Sequence, residues 1–207
     1  MRLIGMLDSP YVRRTAISMA FLGVPFRHEA VSVFAGFDQF RNINPVVKAP
    51  TLVCDDGDVL MDSSLILQFI EATRSGGKSL WSCDPVILQH EMRVVGLALA
   101  ACEKSVQTVY ERNLRPPSAQ HEPWMDRVRG QLLAAYAGLE RELQDRPGLF
   151  LHPGCQASIT AAVVWQFTQS MLAAIVPADA YPALVALSRK MENTPQFLQY
   201  PPTGPGV

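Results

Sequence analysis

Residues 2–21 read RLIGMLDSPYVRRTAISMAF, and this stretch decides how the chain begins to fold. The apolar run Arg2–Met6 predicts a short strand, which the turn-forming residues Asp8-Ser9-Pro10 bring to an end. The proline suits the first turn of a helix, where its missing N–H costs no hydrogen bond. Apolar side chains then recur at helical spacing as far as Gly23-Val24-Pro25. We therefore predict a strand, a tight turn and a helix, with Ser9 where the strand meets the helix.

Short apolar runs continue to alternate with helical patterns as far as residue 73. The elements predicted after the first helix are an extended run Phe26–Val33, a short helix Phe37–Asn42, the strands Thr51–Cys54 and Val59–Met61, and a helix Ser63–Thr73. The two strands are joined by Asp55-Asp56-Gly57-Asp58, which is typical of a hairpin turn. A βαβ unit followed by an antiparallel hairpin and a helix predicts a four-stranded mixed sheet. Residues 1–75 are therefore expected to form a thioredoxin-like domain.

A helical domain is predicted beyond the linker Ser75-Gly76-Gly77-Lys78. Its expected helices are Pro85–Arg112, Glu122–Leu143, Ser158–Leu172 and Tyr181–Glu192. Asp84 is the expected N-cap of the first of them. The centre of that helix, Val94–Cys102, is apolar nearly all round, which predicts burial on several sides. The predicted fold class is thus α/β plus all-α, with a thioredoxin-like domain over residues 1–75 and an all-helical domain over residues 85–200.

The composition is that of a globular protein, with 48% hydrophobic and 18% charged residues. The net charge of −1 disfavours tight binding to nucleic acid. The N-terminal residues lack a signal-peptide pattern, and the longest apolar run, Val94–Cys102, is too short to cross a bilayer. We therefore expect a cytoplasmic protein without membrane contact. The cysteines form no C-x-x-C pair and no cluster with metal-ligand spacing, so we expect free thiols and no bound metal.

Three segments, taken in their order and spacing, carry a resemblance to a known superfamily. They are Ser9–Arg14 (SPYVRR), Asn44–Leu52 (NPVVKAPTL) and Asp62–Ile70 (DSSLILQFI). Together they resemble the glutathione S-transferase superfamily, especially its bacterial members and the plant-type classes that use a serine. The resemblance is strong over residues 1–75 and rests on the helical layout over residues 85–200.

The first segment implies that Ser9 activates the glutathione thiol. A free thiol has a pKa of about 8.5, so little of it is ionised at neutral pH. A hydroxyl that donates a hydrogen bond to the sulfur stabilises the thiolate, and the N-terminus of the following helix adds a favourable partial charge. The alternative is that Ser9 only caps the helix. Dithiol–disulfide exchange is excluded at this turn, because residues 9–12 contain no sulfur.

The second segment implies contacts with the backbone and the glycyl end of glutathione. The resemblance implies a cis peptide bond before Pro50, which directs the N–H and C=O of Ala49 to the cysteinyl backbone of glutathione, like an added strand. The alternative is an ordinary trans proline at a strand start. Lys48 is a candidate for binding the glycyl carboxylate, and its alternative is a solvated surface lysine.

The third segment implies a site for the γ-glutamyl part of glutathione. The free N–H groups at the start of the third helix and the Ser63 hydroxyl form an anion site suited to the γ-glutamyl carboxylate. Asp62 is a candidate for the amino group, although the superfamily more often has glutamate there. The alternative is an N-cap without a ligand. No capping box supports that alternative, because the residues three positions on are apolar.

The helical domain departs from the superfamily pattern at its central helix. That helix usually begins with a serine or threonine N-cap and an aspartate three residues later. Here Ala157 and Thr160 are expected at those positions, with Ser158 as a cap one residue along.

The resemblance implies an enzyme of detoxification that conjugates its co-substrate glutathione to small apolar electrophiles without a metal. The electrophile is expected over Ser9, lined by Tyr11, Val106 and Tyr110 unless these are plain core residues. One alternative is a glutathione-dependent peroxidase, dehalogenase or isomerase. Another is a non-enzymatic binding protein that keeps the fold for protein interactions. A homodimer is expected, with Val94–Cys102 partly near its two-fold axis.

Overall fold

The computed structural model describes residues 1–150 and 154–204, with the side chains of residues 1–148 and 154–204. Its internal contacts divide the chain into two compact units. The first consists of Met1–Leu80 together with the segment that begins at Pro195, and the second of Trp81–Thr194.

The first unit is built on a four-stranded sheet in the order β2-β1-β3-β4. Its elements before the second unit are β1 (Arg2–Ile4), α1 (Pro10–Leu22), β2 (Arg27–Glu29), α2 (Phe37–Ile43), β3 (Thr51–Val53), β4 (Val59–Met61) and α3 (Ser63–Thr73). β1 runs parallel to β2 and antiparallel to β3, and β3 runs antiparallel to β4. The predicted four-stranded mixed sheet and thioredoxin-like fold are therefore confirmed.

Helices cover both faces of the sheet at its centre. Ile4 and Val53 point to one face, where Phe40 of α2 packs with them. Leu3 and Leu52 are fully buried and point to the opposite face, because side chains alternate along a strand. α1 and α3 pack against each other and contact β1 and β4 respectively. The apolar side chains at successive positions of β1 and β3 follow from this burial on two sides.

The chain returns to the first unit after residue 194. α8 (Pro195–Gln199) packs against α1. The Arg13 guanidinium lies 5.2 Å from the centre of the Phe197 ring, and its Nε donates to the Tyr200 carbonyl at 2.9 Å. The Tyr200 ring stacks on Phe26, with 5.6 Å between ring centres. The predicted helical domain over residues 85–200 therefore extends too far, because these contacts hold its last residues against the first unit.

The second unit is helical. Its helices are α4 (Pro85–Leu114), α5 (Glu122–Asp145), α6 (Gln156–Leu172) and α7 (Pro182–Glu192). Asp84 caps α4 as predicted, since its Oδ1 accepts from the N–H groups of Val86 and Ile87 at 2.8 and 3.1 Å. α4 packs against α5 and α6, and α7 packs against the same two helices.

Two buried polar arrangements fix the packing of these helices. The Tyr136 hydroxyl of α5 donates to Thr168 Oγ1 of α6 at 2.6 Å, and Thr168 Oγ1 lies 2.8 Å from Ser105 Oγ of α4. Burial raises the pKa of Tyr136, which keeps its hydroxyl protonated as the donor. The Glu140 carboxylate accepts from two N–H groups in the first turn of α7, at 2.8 and 3.0 Å. Carboxylate oxygens are well placed there because the N-terminus of a helix favours negative charge.

The centre of α4 is only partly buried within the single chain. Val94 and Ala98 are fully buried, whereas Gly96 and Ala100 are exposed within the unit, so the apolar centre is not covered on all sides. By length and composition alone α4 meets the limits for a membrane span, with a mean hydropathy of 1.2 over its most apolar window and 33% of that window buried. The absence of membrane contact therefore stays a prediction.

The start of α6 corrects the predicted cap. The N-cap is Cys155, two residues before Ala157. The Cys155 thiol accepts from the Ser158 N–H at 3.4 Å and donates to the Ser158 hydroxyl at 3.0 Å. Cys155 and Ser158 are three residues apart and so fill the two positions of a capping motif. Thr160 accepts from the Gln156 side chain instead, at 3.0 Å. The sequence misplaced the cap because cysteine is not a usual N-cap residue.

Replacing Cys155 by alanine is expected to lower the free energy of unfolding by about 1 kcal/mol, because the cap is lost at a buried helix start. Cys155→Ser is the matched control, since a serine hydroxyl keeps both contacts with Ser158. Urea denaturation followed by circular dichroism measures the difference. Equal stability of the alanine and serine variants would show that Cys155 does not act as a cap.

Candidate functional site

Ser9 lies between β1 and α1 as the N-cap of α1, with φ −70° and ψ 120°. Its Oγ accepts from the Val12 N–H at 3.5 Å. The oxygen is the acceptor in this contact, so the hydroxyl proton is not used by the cap. No acceptor for that proton is found among residues 1–150 and 154–204. The half-buried hydroxyl can therefore cap α1 and donate to a ligand at once, beside a helix N-terminus that favours an anion.

Close packing brings the end of β1 against α1 and against the loop before β3. Gly5 has a φ of +138°, a conformation that side chains rarely allow. A Cβ at Gly5 would lie 2.6 Å from Val12 Cγ2 and 3.1 Å from the Cβ of Ala49. The missing side chain of Gly5 thus lets Ala49 approach the first turn of α1, the turn that Ser9 caps.

Ala49 presents free backbone groups at the edge of this site. The Ala49–Pro50 peptide bond is cis, as the resemblance implies. Thr51 forms the end of the ladder with β1, where it lies opposite Ile4. In the described part of the chain neither the N–H nor the C=O of Ala49 has a hydrogen-bond partner. Such an edge can pair with an extended peptide in the manner of an added strand.

The start of α3 brings two of the predicted binding residues together. Asp62 is the N-cap, and its Oδ1 accepts from the Ser64 N–H at 2.9 Å. Its φ of 73° and ψ of 122° lie in a region that residues other than glycine rarely adopt, and such strain clusters at ligand sites. Lys48 Nζ lies 4.0 Å from Asp62 Oδ2, and about half of each side chain is exposed. Asp62 therefore caps the helix and Lys48 is exposed, and their roles toward a ligand stay predictions.

Ser63 is buried at the first position of α3 and is linked to α1 by a residue that the sequence did not single out. Arg14 Nη1 donates to Ser63 Oγ at 2.9 Å and to Ser64 Oγ at 3.1 Å. Arg14 is only 2% exposed, although arginine is rarely buried unless its guanidinium is hydrogen-bonded. Two adjacent arginines inside an otherwise apolar helix pattern were the available signal. That signal could not reveal the partner, since Arg14 and Ser63 are 49 residues apart.

The residues predicted for an electrophile pocket lie in different units. Tyr11 is half-buried on α1 of the first unit. Val106 is half-buried and Tyr110 is 39% exposed on α4 of the second unit. None of the three is a fully buried core residue, and their role stays a prediction. A surface cleft of about 560 Å³ elsewhere in the first unit contains none of the predicted site residues. It is lined by Met1, Val24, Pro25, Phe26, Arg27, Asp55 and Arg74.

Two buried thiols of the chain, Cys54 and Cys155, are not activated for redox chemistry. Cys54, Cys83, Cys102 and Cys155 are free. Burial, and then the nearby Asp56 and Asp58 carboxylates, raise the pKa of the Cys54 thiol. Burial also raises the pKa of Cys155. Since thiolates are the reactive species, neither thiol is activated. Among the described residues no group of three or more His, Cys, Asp or Glu side chains is placed to hold a metal ion.

Comparison with known proteins points to one superfamily. Residues 3–78 match the family described as the glutathione S-transferase N-terminal domain. An uncharacterized GST-like protein of Escherichia coli, YibF, is 27% identical over 145 residues, which cover 70% of this chain and 71% of that protein.

Solved structures match over the length of the chain. A glutathione S-transferase from Methylobacterium radiotolerans, in complex with glutathione sulfonate, has a TM-score of 0.90 and 26% identity, covering 100% of this chain and 96% of its own. A glutathione transferase family member from Pseudomonas fluorescens with bound glutathione has a TM-score of 0.83 and 25% identity, covering 98% and 99%. The sheet order, the helical second unit and these matches agree: residues 3–78 match the glutathione S-transferase N-terminal domain, and the chain has the glutathione S-transferase fold.

Proposed function

We propose that this protein binds glutathione in its first unit, ionises the thiol and conjugates it to small apolar electrophiles. The observation that carries the proposal is the Ser9 hydroxyl, which keeps a proton to donate at the N-terminus of α1. Two relatives of known structure hold glutathione or its sulfonate. The unpaired backbone groups of Ala49 and the N-terminus of α3 support the inference of the same ligand for this chain.

The proposed mechanism stabilises charge on sulfur before the electrophile reacts. Ser9 donates a hydrogen bond to the sulfur, which favours the thiolate over the thiol. The partial positive charge at the N-terminus of α1 acts in the same direction. The thiol proton leaves to water. The thiolate then attacks the electrophilic carbon, a sulfur–carbon bond forms, and the leaving group departs with its bonding electrons. Holding both reactants close together in a reactive orientation contributes further to the rate enhancement.

The remaining contacts orient the tripeptide. The N–H and C=O of Ala49 pair with the cysteinyl backbone, next to the cis bond before Pro50. The Ser63 hydroxyl and the first N–H groups of α3 bind the γ-glutamyl carboxylate. The Asp62 carboxylate binds the γ-glutamyl amino group, and Lys48 binds the glycyl carboxylate. The electrophile is proposed to lie over Ser9, beside Tyr11 of the same unit, whereas the predicted role of Val106 and Tyr110 stays a prediction.

Retention on immobilised glutathione, followed by a conjugation assay with 1-chloro-2,4-dinitrobenzene, tests the proposal. We expect retention, elution by free glutathione, and turnover that saturates with both substrates. Retention without turnover on a panel of electrophiles, peroxides and isomerisable substrates would favour a non-enzymatic binding protein. If only a peroxide or an isomerisable substrate is turned over, the proposed glutathione site stands, but the proposed activity changes from conjugation to that reaction. Failure to bind glutathione would overturn the proposal.

We also propose a cytoplasmic homodimer whose two-fold axis lies near the exposed stripe of α4. Met92, Gly96 and Ala100 are exposed at a spacing of four residues, so they share one face of the helix. Small residues on such a face let two backbones approach closely. A Cβ at Gly96 would meet no atom within 4 Å, so a side chain there begins in open space.

Light scattering at micromolar concentration is expected to give a dimer for the wild-type protein and a monomer for Gly96→Lys. Gly130→Lys is the matched control, because Gly130 is also an exposed helical glycine with no atom within 4 Å of its Cβ position. A wild-type monomer, or a Gly96→Lys variant that stays dimeric, would contradict the proposed interface.

A further inference from the structure

We propose that Arg14 is a positioning residue that makes Ser63 a hydrogen-bond donor and so tunes the affinity for the γ-glutamyl carboxylate. This inference rests on the proposed function, because it concerns the same glutathione site. It adds a residue of α1 to a subsite that otherwise belongs to the start of α3.

The direction of the hydrogen bonds carries the inference. A guanidinium has donors and no acceptor, so Ser63 Oγ must be the acceptor of the 2.9 Å contact with Arg14 Nη1. A serine hydroxyl has one proton, and that proton is then directed away from Arg14. Arg14 Nη1 also donates to Ser64 Oγ at 3.1 Å, and the two contacts fix the orientation of the guanidinium. Arg14 thus leaves the Ser63 hydroxyl as a donor toward a ligand.

The positive charge of Arg14 favours a bound anion, as the N-terminus of α3 also does. Its guanidinium is always protonated and lies 2% exposed behind the first turn of α3. The N–H of Ser63 has no acceptor in the described part of the chain. A carboxylate at this position would therefore receive an N–H and an O–H, with a poorly screened positive charge behind them. Removing that charge weakens binding of a carboxylate and leaves a neutral group almost unaffected.

Isothermal titration with two ligands tests the inference. The first is glutathione, and the second is γ-aminobutyryl-cysteinyl-glycine, which lacks only the γ-glutamyl α-carboxylate. For Arg14→Gln we expect the affinity for glutathione to fall about 10- to 100-fold, the range for a hydrogen-bonded charge. We expect the affinity for the shortened ligand to change less than about 3-fold. In turnover, the KM for glutathione should rise while kcat holds, because Ser9 is not changed.

A double-mutant comparison separates positioning from a general structural effect. If Arg14 acts through Ser63, then adding Arg14→Gln to Ser63→Ala costs less than Arg14→Gln costs alone. Equal losses for both ligands, or fully additive losses in the double variant, would overturn the inference. If thermal melting shows that Arg14→Gln does not fold, the two-ligand comparison is made with Arg14→Lys. This variant keeps the positive charge but loses the planar guanidinium. Wild-type protein that binds neither ligand would overturn the proposed function itself, which distinguishes the two failures.

Discussion

Replacing Ser9 by alanine is expected to lower kcat/KM for glutathione conjugation by about 10- to 100-fold. The variant loses a hydrogen bond to a charged sulfur, and such bonds contribute about 1.5–3 kcal/mol. The loss should fall mainly on kcat at neutral pH, because the proposed contacts of Ala49, Asp62 and Ser63 with the tripeptide are unchanged. The pH at which the rate levels off should move upward, since a thiol with a higher pKa ionises only at higher pH. Steady-state rates with 1-chloro-2,4-dinitrobenzene between about pH 6 and pH 9 measure both effects.

Ser9→Thr is the matched control for this change. Threonine keeps a hydroxyl and can cap α1, so it should retain most of the rate. The cap contact with Val12 is long, at 3.5 Å, so we expect Ser9→Ala to cost no more than about 1 kcal/mol of stability. A Ser9→Ala variant with wild-type kcat, or a threonine variant as slow as alanine, would contradict a catalytic role for the hydroxyl.

Replacing Gly5 by alanine is expected to lower the free energy of unfolding by about 3 kcal/mol, the largest stability effect that we predict. Two costs combine, because a φ of +138° strains any side chain and the new Cβ would lie 2.6 Å from Val12 Cγ2. Val12 is β-branched and fully buried on α1, so it has little room to move. Urea denaturation with circular dichroism and fluorescence measures the loss.

Gly57→Ala separates the strain from the overlap. Gly57 has a φ of +94° in the β3–β4 turn, and a Cβ there would meet no atom within 4 Å. In this control, backbone strain alone should lower the free energy of unfolding, by about 1 kcal/mol. For Gly5→Ala we also expect a lower affinity for glutathione, since a shift of Ala49 would move the backbone groups that we propose as its partners. Equal losses at Gly5 and Gly57 would show that the close approach beside Ala49 does not contribute.

The first unit could be predicted well from the sequence because its signals are local. The turn Asp8-Ser9-Pro10 and the hairpin at residues 55–58 punctuate short apolar runs, and the helix Ser63–Thr73 has the predicted bounds. Chain order then leaves few ways to pair the strands. The residues near Ser9, Ala49 and Asp62 were singled out through the three segments of the resemblance, and their roles toward a ligand stay predictions.

Most features that the sequence could not predict involve contacts between distant parts of the chain. Nothing near Arg14 indicates Ser63, and nothing near Arg13 indicates Tyr200, which is 187 residues away. The return of the C-terminal segment to α1 was therefore assigned to the wrong unit. The cap of α6 was missed for a chemical reason, because Cys155 takes a position where a hydroxyl or carboxylate is normal. The sequence could not show which residues of Val94–Cys102 are exposed, such as Gly96, because an apolar pattern does not say which side of α4 lacks a neighbour.

The central claim is that Ser9 holds the bound sulfur as an anion. The most direct measurement is a pH titration of the ultraviolet thiolate absorbance of bound glutathione, in the wild-type protein and in Ser9→Ala. The account predicts a bound thiol whose pKa lies below that of free glutathione in the wild-type protein and returns toward the free value in the variant. A pKa that is the same in both proteins, with glutathione bound to each, would contradict it.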